Sequence, residues 1–333
     1  MQRSLIEYSS KDLRRVAEER IERFLEQYSP KWLYVDWSGG KDSTAVLAAA
    51  VSAAKDMVVA TFLHLAGQTV HDNAKAVLEV ARRLGLNVFR YAGMKSPREL
   101  YIAMLRDRPW ESAPALVYVV TTAHGMDYWS ATLKYGFEAP IERLGGGKRW
   151  ACSEFKGKWL AARPPNGRYR GRPARFLLVG IRRAESPYRA KLWRDTSVKV
   201  FGERYQKVPD VALAPIIDFV EPEVWHLLQL YGLRDAVEPQ YVKWGGRAPN
   251  CALCPLMNRA NFARALRNLP TGYLERALAV LREVRRRYRD STFSAKKIDE
   301  WIPAIEAELE RRRGAGGRAP SPTRFASPED TSC

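Results

Sequence analysis

Apolar and polar positions along the chain alternate between two rhythms, short continuous apolar runs and helical stripes, and the alternation predicts the fold. Leu5, Val16, Ile21, Phe24 and Leu25 stand among many charges in residues 1–28, a spacing that predicts one or two amphipathic helices. Trp32-Leu33-Tyr34-Val35 predicts a short buried strand over 32–36, and Thr44–Val51 starts a helix that runs to about Ala54. Met57–Leu63 predicts a second buried strand, and a helix over 71–84 ends at Gly85, a residue suited to a left-handed cap. Asn87–Tyr91 predicts a third strand and 96–107 a further helix. Strands alternating with helices imply parallel βαβ units with right-handed crossovers.

The second half is less regular. The stretch 113–160 reads as largely helical, with Gly145-Gly146-Gly147 as a break, and 163–175 as a basic Pro/Gly loop without regular structure. Phe176–Val179 predicts another buried strand, 211–214 one more, and helices follow at 221–231, 259–268, 271–289 and 295–313. From Gly314 onward Gly, Pro, Ser and Arg dominate with few apolar residues, the composition of a disordered tail. The expected fold class is α/β, a three-layer α/β/α sandwich around a mostly parallel sheet, with a helical C-terminal region.

Composition sharpens this in two ways. The chain has 333 residues and a formal net charge of +18, so its field attracts polyanions such as nucleotides, RNA or DNA. A compositional bias toward charge at high growth temperature is the alternative. The absence of a long apolar run or a signal-peptide core implies a cytoplasmic protein without a membrane partner. Four cysteines are too few for a disulfide scaffold, so their positions carry the information.

Candidate chemistry concentrates first at Ser38-Gly39-Gly40-Lys41-Asp42-Ser43, between the first strand and its helix. Adjacent glycines permit a sharp turn and close approach to a ligand. The amides of the first helical turn favour an anion, Lys41 adds a point charge, and Ser38 and Ser43 add hydroxyls. The element is shorter than a Walker A loop, which has four residues between its first glycine and its Gly-Lys-Ser/Thr ending. A second strand end carries Gly180, Arg182, Arg183 and Arg189, planar forks suited to phosphate or sulfate. Its plain alternative is a solvated basic turn paired with Glu185 and Asp195. Cys251-x-x-Cys254 has the spacing of a zinc or iron–sulfur site or of a redox dithiol, with buried or incidental cysteines as the plain alternative. Nine arginines in 259–289, interleaved with Phe262, Tyr273 and Tyr288, form either a nucleic-acid surface or a solvated helix face.

Ser-Gly-Gly-Lys-Asp-Ser resembles the PP-loop of the adenine nucleotide α-hydrolase-like superfamily. Gly180-Ile-Arg-Arg-x-Glu-Ser-x-x-Arg189, Pro215-Ile-Ile-Asp218, Tyr241, Asn250-Cys-x-x-Cys-Pro255 and Arg149-Trp-Ala-Cys152 resemble, in order, elements of its phosphoadenylyl-sulfate (PAPS) reductase family. The resemblance implies a PP-loop catalytic domain over 31–257, preceded by a helical segment 1–30 and followed by basic helices 258–313 and the tail 314–333. It implies an enzyme acting on an adenylyl nucleotide, ATP or a sulfonucleotide, at or beside the α-phosphate. The reaction implied is sulfonucleotide reduction or related sulfur metabolism. The alternatives are an ATP-dependent sulfur-insertion enzyme acting on tRNA or DNA, and a non-catalytic nucleotide- or RNA-binding module. Lys41, Asp42 and Arg182 are the implied catalytic residues. Ser38, Gly39, Gly40, Lys41, Asp42, Ser43, Leu63, His64, Gly180, Arg182, Arg183 and Arg189 are the implied nucleotide ligands, with the backbone near Leu63 and His64 holding adenine. Asp42 either positions Mg²⁺ or caps the helix. Cys152, Cys251 and Cys254 would hold a 4Fe–4S cluster or zinc, and a reductase would need a partner electron donor. The chain carries neither the Glu-Cys-Gly-x-His segment nor the adjacent Cys-Cys pair of established reductases, and Cys333 stands alone near its end.

Overall fold

A computed structural model describes residues 10–64, 71–111, 115–122, 133, 157, 159–201, 208–244, 253, 259–287 and 292–315. The described elements fall into two compact units. The first is built on a mostly parallel sheet. Its elements are α1 (Ser10–Tyr28), β1 (Leu33–Trp37), α2 (Lys41–Ala54), β2 (Val58–His64), α3 (His71–Arg83), β3 (Asn87–Met94) and α4 (Pro97–Asp107). They continue with β4 (Leu116–Thr122), β5 (Gly167–Tyr169), β6 (Arg172–Val179), α5 (Pro187–Leu192), β7 (Val198–Phe201), β8 (Asp210–Leu213), α6 (Glu221–Leu230) and α7 (Arg234–Trp244). Strand order across the sheet is β3-β4-β2-β1-β6-β8-β7, with β5 hairpinned onto β6. All pairs are parallel except β7 with β8 and β5 with β6.

The core follows from apolar patterning. Val35 and Trp37 of β1 face α2, whose residues Ala45 to Ala50 are all buried, so the helix is apolar around its circumference and lies inside the unit. Leu13, Ala17, Ile21 and Phe24 line one stripe of α1 and cover α2 from outside. One polar side chain ties two central strands together. Asn166, fully buried, donates to Trp32 O at 2.6 Å and Phe176 O at 3.0 Å, while its Oδ1 accepts from the Phe176 amide at 2.7 Å. It thereby joins the segment entering β1 to the middle of β6.

Two expectations are corrected. Residues 116–122, read as helical, form β4 between β2 and β3. Leu-Val-Tyr-Val-Val-Thr-Thr is a continuous apolar run in which helical and strand periodicity cannot be told apart, and its β-branched content decides. Residues 167–175, read as irregular, form the β5–β6 hairpin. Its two-residue turn takes positive φ at both Arg170 (49°) and Gly171 (75°), the geometry that fits strand twist. The strand β7 and the helix α7 had not been expected.

The second unit contains α8 (Arg259–Asn268), α9 (Thr271–Arg287) and α10 (Thr292–Ala315). Leu274, Leu278, Leu281 and Val284 of α9 are buried, as are Ile298, Trp301, Ile305 and Leu309 of α10, and Phe262 stacks on Trp301 at 4.4 Å. Many arginines of these helices meet carboxylates: Arg282 with Glu306 (2.5 Å), Arg285 with Asp299 (2.9 Å) and Arg259 with Glu300 (2.8 Å). Arg312 reaches Glu308 and also accepts the role of a cap, donating to the Leu266 and Leu269 carbonyls. The triple-glycine break, and the tail beyond Ala315, lie outside the described residues. No helix among the described residues is long and apolar enough to cross a membrane.

Asn166→Ala leaves Trp32 O and the Phe176 amide without their buried partner, a loss of about 3 kcal/mol. Urea unfolding should show the transition midpoint falling accordingly; an unchanged midpoint would mean that water replaces the amide.

Candidate functional site

β1 runs straight into the glycine-rich loop, and Trp37 Nε1 donates to Thr44 Oγ1 at 3.0 Å, tying the strand end to the second turn of α2. Gly39 adopts φ +74°, and a Cβ there would come within 2.4 Å of Asn73 Oδ1 and 2.8 Å of Val77 Cγ2. Only glycine fits. Asn73 Nδ2 donates to Ser38 O (3.1 Å) and Gln240 Nε2 to Gly39 O (2.9 Å), so α3 and α7 hold the loop carbonyls from outside. Gly40 is the N-cap of α2 and supplies no side chain; the Ser43 hydroxyl donates back to Gly40 O at 3.1 Å instead. Ser38 and Ser43 hydroxyls meet at 2.9 Å.

This arrangement leaves amide donors without a protein acceptor. Among the described residues the amides of Gly39, Asp42 and Ser43 have no acceptor, the ordinary condition of a helix start that no side chain caps. The Gly40 amide donates to Ser38 Oγ at 3.4 Å and the Lys41 amide to the Tyr241 hydroxyl at 2.8 Å. The unpaired amides and the positive end of α2 form a cradle for an anion.

The second strand end closes on the first. β1 and β6 are parallel neighbours, Tyr34 opposite Leu177 and Asp36 opposite Val179, so both chains leave the sheet on the same side. Gly180 then presses on α2. A Cβ on it would lie 2.5 Å from Ser43 N and 2.7 Å from Ser43 Cα, backbone atoms that cannot yield. Arg182 follows, buried to 3% exposure, and its Nε donates to Asp42 Oδ1. The Asp42 carboxylate also pairs with Lys41 Nζ at 3.3 Å, and Lys41 Nζ lies 3.5 Å from Glu221 and 5.2 Å from the Tyr241 ring centroid. Asp42 thus serves two cations.

The three arginines of this segment separate. Arg182 is at the loop. Arg189 ion-pairs with Glu185 and sits within the fields of Asp42 and Arg182; burial is the main reason its pKa falls below the ordinary value. Arg183 turns away, to Asp218 and to the Trp193 carbonyl at 2.7 Å. Leu63 and His64 end β2, the other neighbour of β1, and both are half-buried. Cys152, Cys251 and Cys254 lie outside the described residues, and among the described residues no three His, Cys, Asp or Glu side chains are grouped to hold a metal. Sequence reasoning missed Asn73, Glu221 and Gln240, which belong to distant helices and carry no local signature. Tyr241 had been noted only as part of a motif.

A model of the phosphoadenosine phosphosulfate reductase domain matches residues 33–236. A search of the curated proteins finds no match. Among solved structures, the NH3-dependent NAD synthetase of Campylobacter jejuni is similar at 11% identity over 94% of this chain and 99% of its own, with a TM-score of 0.36. The NMN synthetase of Francisella tularensis is similar at 11% identity over 91% and 97%, with a TM-score of 0.37. The U34-tRNA thiolase of Methanococcus maripaludis, solved with its 4Fe–4S cluster, is similar at 11% identity over 97% and 85%, with a TM-score of 0.37.

Two outcomes follow from the packing. Gly180→Ala drives a methyl into the first turn of α2 and should cost about 1–3 kcal/mol, read as a lowered thermal midpoint. Arg182→Met should cost about 3 kcal/mol because the half-buried Asp42 carboxylate loses its nearer cation and keeps only Lys41, and adding Asp42→Asn should recover much of it. Additive losses in that double-mutant cycle would mean the pair is not coupled.

Proposed function

We propose a function from one premise: the chain belongs to the phosphoadenosine phosphosulfate reductase domain family. The proposed substrate is an adenylyl nucleotide, a sulfonucleotide or ATP, with chemistry at or beside the α-phosphate. The proposed reaction is reduction of the sulfonucleotide to sulfite and the nucleoside phosphate, with the two electrons supplied by a partner donor.

One observation carries the nucleotide reading. The unpaired amides of Gly39, Asp42 and Ser43 stand beside Arg182 and Lys41, at the carboxyl ends of two neighbouring parallel strands. In open α/β sheets ligands bind at that edge. The charges of Lys41, Asp42, Arg182 and Glu221 sum to zero, so attraction for phosphate rests on the amides and the helix dipole rather than on net charge. Glu221 is 53% exposed and its pair with Lys41 is long, a weak link in water, so Lys41 is able to leave it for a phosphate oxygen. In the reaction Lys41 and Arg182 would stabilise charge developing on the phosphate, Arg182 from a position fixed before substrate arrives. Asp42 would keep both cations aimed, and Gly180 would hold the distance between the strand end and the loop.

Lys41→Ala should lower affinity for an adenylyl nucleotide at least tenfold, about 1.4 kcal/mol, in calorimetric titration. Wild-type binding by the variant would overturn the reading. Product analysis then separates the reactions. Sulfite released from a sulfonucleotide supports reduction. Pyrophosphate released from ATP only when RNA or DNA is added would replace reduction with sulfur insertion, and binding without turnover would leave a nucleotide-binding module.

A further inference from the structure

The Lys41 amide, in the first turn of α2, has a protein acceptor from outside the loop, and that acceptor is itself a donor. Tyr241 Oη receives the Lys41 N–H at 2.8 Å. A phenol that accepts one hydrogen bond still has its own proton to give. We infer that the Tyr241 hydroxyl donates that proton to the phosphate held by the loop, acting as a relay that carries the Lys41 amide outward and sets where the phosphate stops. This rests on the nucleotide reading above.

Three features keep the hydroxyl in place. Tyr241 is 7% exposed and packs edge-on against Trp225, with centroids 5.0 Å apart. Its neighbour Gln240, 3% exposed, binds Gly39 O at 2.9 Å. Lys243 and Trp244, one turn on, both donate to Asp72 Oδ2, at 2.7 and 3.1 Å. α7 is therefore fastened to the loop and to α3 along its length, and an anion cannot displace the phenol without breaking several of these contacts together. The phenol is also kept protonated: burial raises its pKa, and the nearby Asp42 and Glu221 carboxylates raise it further, against the opposing Lys41 amide and Arg182 charge. A phenol that keeps its proton can donate to an anionic oxygen, which a phenolate would repel. The chain amide to phenol to phosphate is cooperative, because each bond polarises the next.

The position gives specificity. A phosphate seated on the amides of Asp42 and Ser43 meets a hydroxyl, not an amide, at the Lys41 corner, and is held farther from the helix axis there. Tyr241 is thus a binding and positioning residue for the phosphate and not for the base.

The test uses AMP and adenosine as probes of the full chain, titrated by calorimetry. Tyr241→Phe keeps the ring against Trp225. It should weaken AMP about tenfold or more, as expected for a lost hydrogen bond to a charged group, and leave adenosine affinity unchanged. Equal weakening of both ligands would show a structural prop and overturn the inference. AMP binding as tight as, or tighter than, wild type would show that the phosphate takes the Lys41 amide itself and would also overturn it; the nucleotide reading would survive both results. Wild-type protein that binds no adenylyl nucleotide would overturn both. A second measurement needs no variant. In protein labelled with ¹⁵N-lysine, AMP should move the Lys41 amide proton downfield while adenosine leaves it in place, and an unmoved resonance with AMP bound contradicts the relay.

Discussion

The close approach of the Gly180 backbone to the first turn of α2 is the constraint on which the rest of the site depends. Any side chain at that position would meet Ser43 backbone atoms at 2.5–2.7 Å. Because β6 can run flush against α2, the segment after it delivers buried Arg182 to Asp42. Parallel pairing of β1 and β6 makes the approach possible, since both strands end on the same edge of the sheet. Buried Asn166 bridges the entry of β1 to the middle of β6. The strand pair is thus braced away from the loop as well as beside it.

The helix that bears the cradle is rigid for a different reason. α2 is buried on every side, covered by α1 and α6 and resting on the sheet. Its first-turn amides are left without a side-chain cap, because the cap residue is Gly40 and the nearby serine hydroxyls are occupied with each other and with the loop carbonyl. Unmet donors at the start of a rigid helix are pre-aimed, so a bound anion gains hydrogen bonds without paying to organise them. α7 completes the arrangement from outside the β1–α2 unit, bracing a carbonyl through Gln240 and covering an amide through Tyr241.

The local parts of this site were legible in the sequence. A buried run, two glycines and a helix former state their geometry within a dozen residues, and a second strand end followed by a glycine and arginines states its own. What could not be read was which arginine faces the loop. Arg182 and Arg183 are adjacent and chemically identical, and only the local backbone sends one to Asp42 and the other to Asp218. Asn73, Glu221 and Gln240 were illegible because they lie on separate helices whose packing, not whose spacing, brings them to the loop. β4 was obscured because a continuous apolar run has no period. The β5–β6 hairpin was obscured because its Arg-Gly turn sits among prolines and glycines that suggest irregular chain. In the helical unit, sequence showed the arginines of α9 but not the carboxylates of α10 that meet them.

The central claim is that the start of α2, framed by Gly180, Arg182 and Tyr241, is where the nucleotide phosphate binds. A crystal structure of the full chain with AMP tests this most directly. The account predicts phosphate oxygens about 3 Å from the Asp42 and Ser43 amide nitrogens and from the Tyr241 hydroxyl. Phosphate seated elsewhere, for instance on the arginines of α8–α10, with the loop amides left bare, would contradict it.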